Sequence, residues 1–258
     1  EFWTTELAER IVQQDGYRDL IYAANCICHI HDLDDTFKAV KKLLSPSGVF
    51  VFEDPSLLRM LERGSYDQIY IFSVTALSNL LRRNGLQIFK VDNLSVHGGS
   101  NRIYACHVDS CMVGDSVRYN LQKENTFGIS RFETYEIFAN RVNGSKKKLV
   151  DLLEKLKSDG KKIMSIGATA KSTTVFNYCG IGTNLIDVIT DTTLDKQNTF
   201  SPGVHIPVVS PDKVNMLDYD YAYLGAWNFK DVIMNSQQNF VKNGGKFITH
   251  VPEVMSFS

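Results

Sequence analysis

The sequence predicts an α/β protein built on two doubly wound, Rossmann-like sheets, and three observations predict it. Apolar strand segments alternate with amphipathic helical ones along most of the 258 residues, the pattern that gives parallel sheets with helices on their faces. The run Lys162–Gly182, KIMSIGATAKSTTVFNYCGIG, reads as strand, glycine-bearing turn and helix. A long helical stretch, Asp115–Ser158, lies between two such alternating series. It sets a boundary between a first domain over residues 1–112 and a second over 113–258.

The chain enters at once on a helical pattern, EFWTTELAERIVQQDG, with no strand before it, and reads like the middle of a fold. Leu20–Asn25 (LIYAAN) is expected as a buried strand, Asp34–Leu44 as an amphipathic helix and Gly48–Asp54 as a strand after a Ser-Pro-Ser-Gly turn. Strand, helix and strand in that order imply a right-handed parallel unit. Val74–Arg83 reads as a helix. Leu86–Val91 and Arg102–His107 follow as strands with no helix between them, which predicts an antiparallel hairpin at a sheet edge. The helical stretch breaks near Thr126–Ser130, and Lys146–Lys148 mark a solvated face. Strands are then expected at Lys162, Leu185–Asp191, Tyr219–Ala226 and Gly244–Val251, with a helix over Lys230–Phe240.

Composition excludes several function classes. A net charge of −1 argues against a general nucleic-acid surface, and the aromatics do not alternate with basic residues. No apolar run approaches the ~20 residues that span a bilayer, and no signal-peptide pattern opens the chain, so a soluble cytoplasmic protein is expected. Cys26, Cys28, Cys106, Cys111 and Cys179 are odd in number and include no CxxC pair. Reduced thiols are expected rather than a disulfide framework or a zinc site.

In doubly wound sheets ligands gather at the carboxyl ends of strands, where Gly167, Asp191, Trp227 and Asn228 fall. The turn after Ile166 presents backbone N–H groups and Lys171 at a helix N-terminus, an arrangement suited to a phosphate. Equally, Gly167 can serve only close packing while Thr169, Ser172 and Thr173 cap the helix. Three further clusters carry chemistry-bearing side chains. AANCICHIHDL ends a strand with His29 and His31 in the following loop; it lacks a fourth metal ligand and suits proton transfer better. SYDQIY holds Tyr66, Asp67 and Tyr70. HGGSNRIY combines Gly98 and Gly99, which allow close backbone approach, with the Arg102 fork; a flexible hairpin tip explains it equally well.

Together, AANCICHIHDLDDTF, GVFVFEDP, YDQIY, FSVTALSNLLRRNGL, HGGSNRIY, GATAKSTTVFNYCGIG, SPGVHIPVV and AWN resemble, in that order, the sugar C-methyltransferases that act on nucleotide-linked keto-sugars. The resemblance runs from Glu1 to about Glu253. It implies the second half of a class I methyltransferase sheet, hairpin included, followed by a Rossmann-like domain that helps hold the nucleotide-sugar. It also implies S-adenosylmethionine as cofactor. Zinc would belong only to an N-terminal module, which this chain does not include, and no metal site is expected here. The family's glycine-rich loop and first strands would precede Glu1.

By the same resemblance His29, Tyr70 and Tyr66 are catalytic, positioning the sugar or hydrogen-bonding the developing oxyanion. Phe2, Ala24, Asn25, Cys26 and His29 meet the cofactor. His97, Gly98, Gly99, Ser100 and Arg102 close over the substrate from the first domain. Gly167, Lys171, Ser172, Thr173, Asn177, Asp191, Lys196 and Asn228 hold it from the second. One departure stands out. The family pattern resembles YDxxYDEH, whereas here Tyr70 is followed directly by Ile71 and Phe72, so the histidine that resembles the catalytic base is missing. The break inside an intact motif reads as a mobile active-site loop absent from the sequence; if the deletion is real, a catalytically silent nucleotide-sugar binder is expected instead. An NAD-type oxidoreductase ranks behind both, because Asp191 stands near the ribose position but no GxGxxG precedes it.

Overall fold

A computed structural model describes residues 1–63 and 71–258. Two compact units form, one from Glu1–Glu62 with residues 71–135, the other built on Glu136–Ser258.

In the first unit, α1 (Thr5–Asp15) starts on Thr4, whose side chain accepts the Leu7 N–H. β1 (Arg18–Ala24) leads through a short 3-10 turn at Ile27–His29 into α2 (Leu33–Leu43) and β2 (Leu44–Pro55). α3 (Leu57–Arg63), absent from the sequence expectation, comes next. α4 (Val74–Arg83), β3 (Leu86–Leu94), β4 (Ser100–His107) and α5 (Asp115–Phe127) complete the unit. The strand order is β1-β2-β4-β3. β1 and β2 run parallel, and β4 lies antiparallel between β2 and β3. The expected hairpin is therefore present, with β3 at the edge.

Alternation along β2 turns Phe50 and Phe52 toward α2, where Phe37 meets them with ring centroids 6.3 and 6.1 Å away. Each such burial contributes about 1.5–3 kcal/mol. Val117 of α5 joins the same core, as do Val74, Leu77 and Leu81 of α4. β1 departs from expectation. Only Ile21 and Ala23 turn into this core, while Leu20 and Tyr22 are 62% and 59% exposed. An apolar run reads as buried on both faces, but the Leu20 and Tyr22 face of β1 is turned to solvent, and run length alone cannot separate the two cases.

α5 ends at Gly128 in a left-handed conformation (φ 86°), inside the expected break. The second unit takes most of α6 (Phe132–Ser158), followed by β5 (Ile163–Ile166), α7 (Ala170–Cys179), β6 (Val188–Thr190), β7 (Thr199–Phe200) and β8 (Pro207–Val209). β9 (Tyr221–Leu224), α8 (Lys230–Ser236), α9 (Gln238–Lys242), β10 (Lys246–Thr249) and β11 (Met255–Phe257) close it. The order is β11-β10-β9-β5-β6-β8-β7. Five central strands are parallel, as expected of a doubly wound sheet, and the short β7 and β11 add antiparallel edges.

The expected strand over Leu185–Asp191 shrinks to Val188–Thr190 because Leu185 and Ile186 are buried in the turn after α7, donating to Gly182 O. The single helix expected over Lys230–Phe240 divides at Gln237. One face of the sheet is covered through Leu149, Leu153, Val175 and Phe176, the other through Phe240 and Phe247. Successive strands leave β5 in opposite directions, through β6 on one side and β9 on the other. That reversal opens a crevice at their carboxyl ends.

Candidate functional site

In the first unit the antiparallel course of β4 brings the hairpin tip to the edge where β1 and β2 end. Ala24 pairs with Glu53, Glu53 with Arg102, and Pro55 with Ser100. Beyond β1, Asn25 takes a positive φ of 52° and donates its N–H to Glu53 O at 2.7 Å. Three residues on, the Cys28 N–H donates to Asp54 Oδ1 at 3.3 Å. The Cys26–His29 turn is thus moored on the last residues of β2, with exposed His29 at its rim. Ala24, small and exposed, leaves the strand end approachable.

Asp54 is only 3% exposed, and among the described residues its Oδ2 meets no hydrogen-bond partner. Burial pushes its carboxyl above the ordinary range, against the pull of the Cys28 hydrogen bonds and the nearby His29. Burial, then the Asp54 carboxylate, pushes the Cys28 thiol up to about 12. The Cys26 thiol is raised by the same two causes.

Phe2, 94% exposed, stands on this edge as well. Its neighbour Trp3 donates to Thr36 O at 3.2 Å, and the Thr5 N–H to Asp35 Oδ2 at 3.1 Å, which ties the segment to the first turn of α2. At the hairpin tip His97 is exposed with φ 52°. Gly99 has φ 121°, and a Cβ there would stand 2.8 Å from Arg59 Cγ, so this position requires glycine. Ser100 is 1% exposed and donates to Val96 O at 3.2 Å; it shapes the turn. Arg102 donates from Nε to Glu53 Oε1 at 2.6 Å, and Glu53 also accepts from the Tyr22 hydroxyl at 3.2 Å. Tyr66 and Tyr70 lie outside the described residues. Sequence reasoning passed over Asp54, although an acidic pair closing an apolar strand was a visible signal.

In the second unit Gly167 (φ 94°) brings the turn after β5 against Ala226, where a Cβ would meet the Ala226 Cβ at 3.0 Å. Its N–H donates to Thr190 O at 2.8 Å. Thr169 and Ser172 cap α7 reciprocally. Ser172, 2% exposed, spends its hydroxyl on Gly167 O and Thr169 O. Asp191, just past β6, takes the Ala168 N–H on Oδ2 and the Thr193 N–H on Oδ1, both at 2.8 Å. Burial alone would raise this carboxyl, but the Thr193 and Ala168 N–H groups with Lys196 outweigh it and hold it below the ordinary range. Lys196 donates to Ala168 O at 2.9 Å. Asn177 bridges Thr173 O and Pro202 O at 2.8 and 2.9 Å.

Ser172, Asp191 and Lys196 therefore engage in building the turn, and Asn177 ties α7 to the Pro202 loop. An internal carboxylate thus takes the Ala168 N–H of the turn that leads into α7. Lys171, Thr173 and Asn228 are half-buried, with Lys171 Nζ 5.8 Å from the centre of the Trp227 ring. Beside them a cavity of about 570 Å³ opens at the crevice, floored by Met164 and Ile166 and edged by Gly167, Thr169, Asp191 and Phe229. Among the described residues no three His, Cys, Asp or Glu side chains converge as metal ligands, and no helix is long and apolar enough to cross a membrane.

Fold and site define an α/β protein whose four-stranded mixed sheet and seven-stranded Rossmann-like sheet each present polar side chains at their strand ends. The chain belongs to the family described as C-methyltransferase C-terminal domain, whose model matches residues 95–252; a methyltransferase domain model matches residues 4–91. It is 33% identical over 257 residues to the C-methyltransferase NovU of Streptomyces niveus, a match that takes in 97% of this chain and 61% of the relative's length. Crystal structures of M1.HpyAVI and of its SAM complex match 40% of this chain and 50% of theirs, at 15% and 14% identity and a TM-score of 0.27. That likeness is too slight to inform the fold.

Proposed function

We propose that this chain serves S-adenosylmethionine-dependent methyl transfer to a carbon of a keto-sugar joined to a nucleoside diphosphate. The reading is carried by the succession of a methyltransferase domain over residues 4–91 and a C-methyltransferase C-terminal domain over residues 95–252. The strand ends of the first unit suit the cofactor: Phe2 offers an exposed ring, and Ala24 and Asn25 an open backbone edge. Bound there, S-adenosylmethionine supplies an electrophilic methyl group.

Carbon is a poor nucleophile. The carbon beside the ketone must lose a proton, its electron pair passing into an enolate whose oxygen needs a donor. His29 at the rim takes the proton-transfer or oxyanion role, with the His97–Arg102 hairpin tip at the same strand ends of the first unit. Taken by itself, the second unit suits a nucleoside diphosphate, with Lys171 in the first turn of α7 and a 570 Å³ cavity at the same strand ends. Positioning of this kind supplies several kcal/mol, up to ~7–11 in the best-oriented systems.

The test is incubation with labelled S-adenosylmethionine and a panel of nucleotide-linked keto-sugars. Label recovered on sugar carbon supports the reading, and no transfer to any of them sinks it. One sequence feature favours a second reading, a silent nucleotide-sugar binder: Tyr70 runs directly into Ile71. Intact-protein mass separates the two, since a mass equal to that of the 258 residues removes the additional loop. Where transfer occurs, His29→Ala is expected to lower turnover about 10²–10⁴-fold and leave nucleotide affinity within about twofold; equal loss of both contradicts the role.

A further inference from the structure

Just past the end of β4 the chain doubles back. The Ser110 N–H donates to His107 O at 3.1 Å and the Ser110 hydroxyl to the same oxygen at 2.7 Å, closing a four-residue turn in which Asp109 takes φ 64°. The residues that flank such a turn stand opposite each other, with Cβ atoms about 4.5–5.5 Å apart. Here they are Cys106 and Cys111. A second neighbour fixes the same juxtaposition. Gln87 on β3 is the cross-strand partner of Cys106, and its side-chain amide donates to Cys111 O at 2.6 Å. Burial, and then hydrogen-bond contact with the Cys111 thiol, push the Cys106 thiol up to about 11. Both cysteines are free. A disulfide asks for about 3.5–4.5 Å between the same Cβ atoms, a small closure for a turn exposed at Asp109 and Ser110.

We propose that Cys106 and Cys111 form an oxidative modification site, a dithiol that closes reversibly into a disulfide across the turn after β4. Cys111, half-buried in the loop, is the accessible sulfur, while Cys106 is fully buried beside it. With a low-molecular-weight disulfide as oxidant, the Cys111 thiolate attacks one of its sulfurs, forming a mixed disulfide and releasing the first small thiolate. Cys106 then attacks the Cys111 sulfur, forming the protein disulfide and releasing the second. Two protons pass from the protein thiols to the two leaving thiolates; the protein gives up two electrons and the small disulfide takes them. A thiol raised as Cys106 is attacks slowly from solution, but the turn holds this one against its target. Closed, the bond ties the lead-in to α5 onto β4. Neither cofactor nor sugar takes part, so the inference stands apart from the proposed transfer.

The test uses the whole chain and glutathione. Folded protein is equilibrated with a mixture of oxidised and reduced glutathione, then unfolded in the presence of iodoacetamide and digested with trypsin. Cleavage after Arg102 and Arg118 gives one peptide, Ile103–Arg118, that holds both cysteines and no other. It is expected to carry no alkyl group, to weigh two hydrogens less than the dithiol, and to accept both labels once reduced. Recovery of this peptide with both thiols alkylated, or with glutathione on Cys111 and an alkyl group on Cys106, overturns the proposal. Cysteines so close in sequence can also pair in an unfolded chain, so the same equilibration is run in urea. At one glutathione ratio the closed-to-open ratio is expected to be about tenfold or more higher in the folded protein, and equal ratios overturn the proposal as well. In Cys111→Ser, Cys106 is expected to remain alkylatable after the same treatment; loss of its label there assigns it a different partner and counts against the pair.

Discussion

Glu124 on α5 holds the opening turn of α4 through Thr75, accepting its backbone N–H at 2.8 Å and its hydroxyl at 2.7 Å on the same oxygen. The other oxygen takes the Val74 N–H at 2.7 Å. Two of the N–H groups that a helix start leaves unmatched are thus satisfied by a carboxylate from fifty residues away in sequence. At 1% exposure this acid is tolerated only because its hydrogen bonds are made.

Glu124→Ala is therefore expected to destabilise the protein by about 3 kcal/mol and Glu124→Gln by about 1–2 kcal/mol, since the amide keeps an acceptor but loses the charge. Urea unfolding of the three proteins measures both. An alanine variant within about 0.5 kcal/mol of the unaltered protein contradicts the capping role.

Asp191 yields a pH dependence of definite sign. Its folded carboxyl is held below the ordinary range by N–H groups and Lys196, so its contribution is present above the unfolded value of about 4 and is lost as pH falls through the lower folded value. At pH 7, Asp191→Asn is expected to be less stable by about 1–3 kcal/mol. The difference should narrow as acid neutralises the carboxylate; a gap that stays constant down to pH 3 rules this out.

Much of this architecture was legible because period and punctuation agree. Phe50 and Phe52 alternate along β2, Gly128 ends α5, and Gly167 marks the turn after β5. What the sequence hid depends on neighbours distant along the chain. Leu20 and Tyr22 read as buried, yet only the opposite face of β1, with Ile21 and Ala23, packs on the core. Asp191 reads as a ligand-facing acid, but it lies against Ala168, twenty-three residues earlier. Arg102 reads as an oxyanion fork, yet Glu53 across the ladder takes its Nε–H. Residue type states what a side chain can bond; only the pairing of strands states with what.

The Arg102–Glu53 pair gives a test by double substitution. Glu53 is 8% exposed, so Arg102→Ala leaves a buried carboxylate without its cation, and the thermal midpoint should fall. Adding Glu53→Gln should restore part of that loss, because the buried charge goes too. Strictly additive midpoints across the four proteins mean that the pair does not couple, which returns Arg102 to a role in substrate contact alone.

The turn after β5 allows shape and charge to be separated. Gly167→Ala forces a side chain into φ 94° and against Ala226 at 3.0 Å, so stability is expected to fall by about 1–3 kcal/mol. Lys171, two residues after the Thr169 cap, carries its Nζ 5.8 Å from the centre of the Trp227 ring. Lys171→Ala should lower nucleoside diphosphate affinity about tenfold and weaken the salt dependence of binding. Calorimetric titration with a nucleoside diphosphate alongside urea unfolding reads both quantities. If Lys171→Ala binds as tightly as the unaltered chain, the diphosphate does not lie at this helix start, and the internal carboxylate of Asp191 is the whole of what the turn was built to hold.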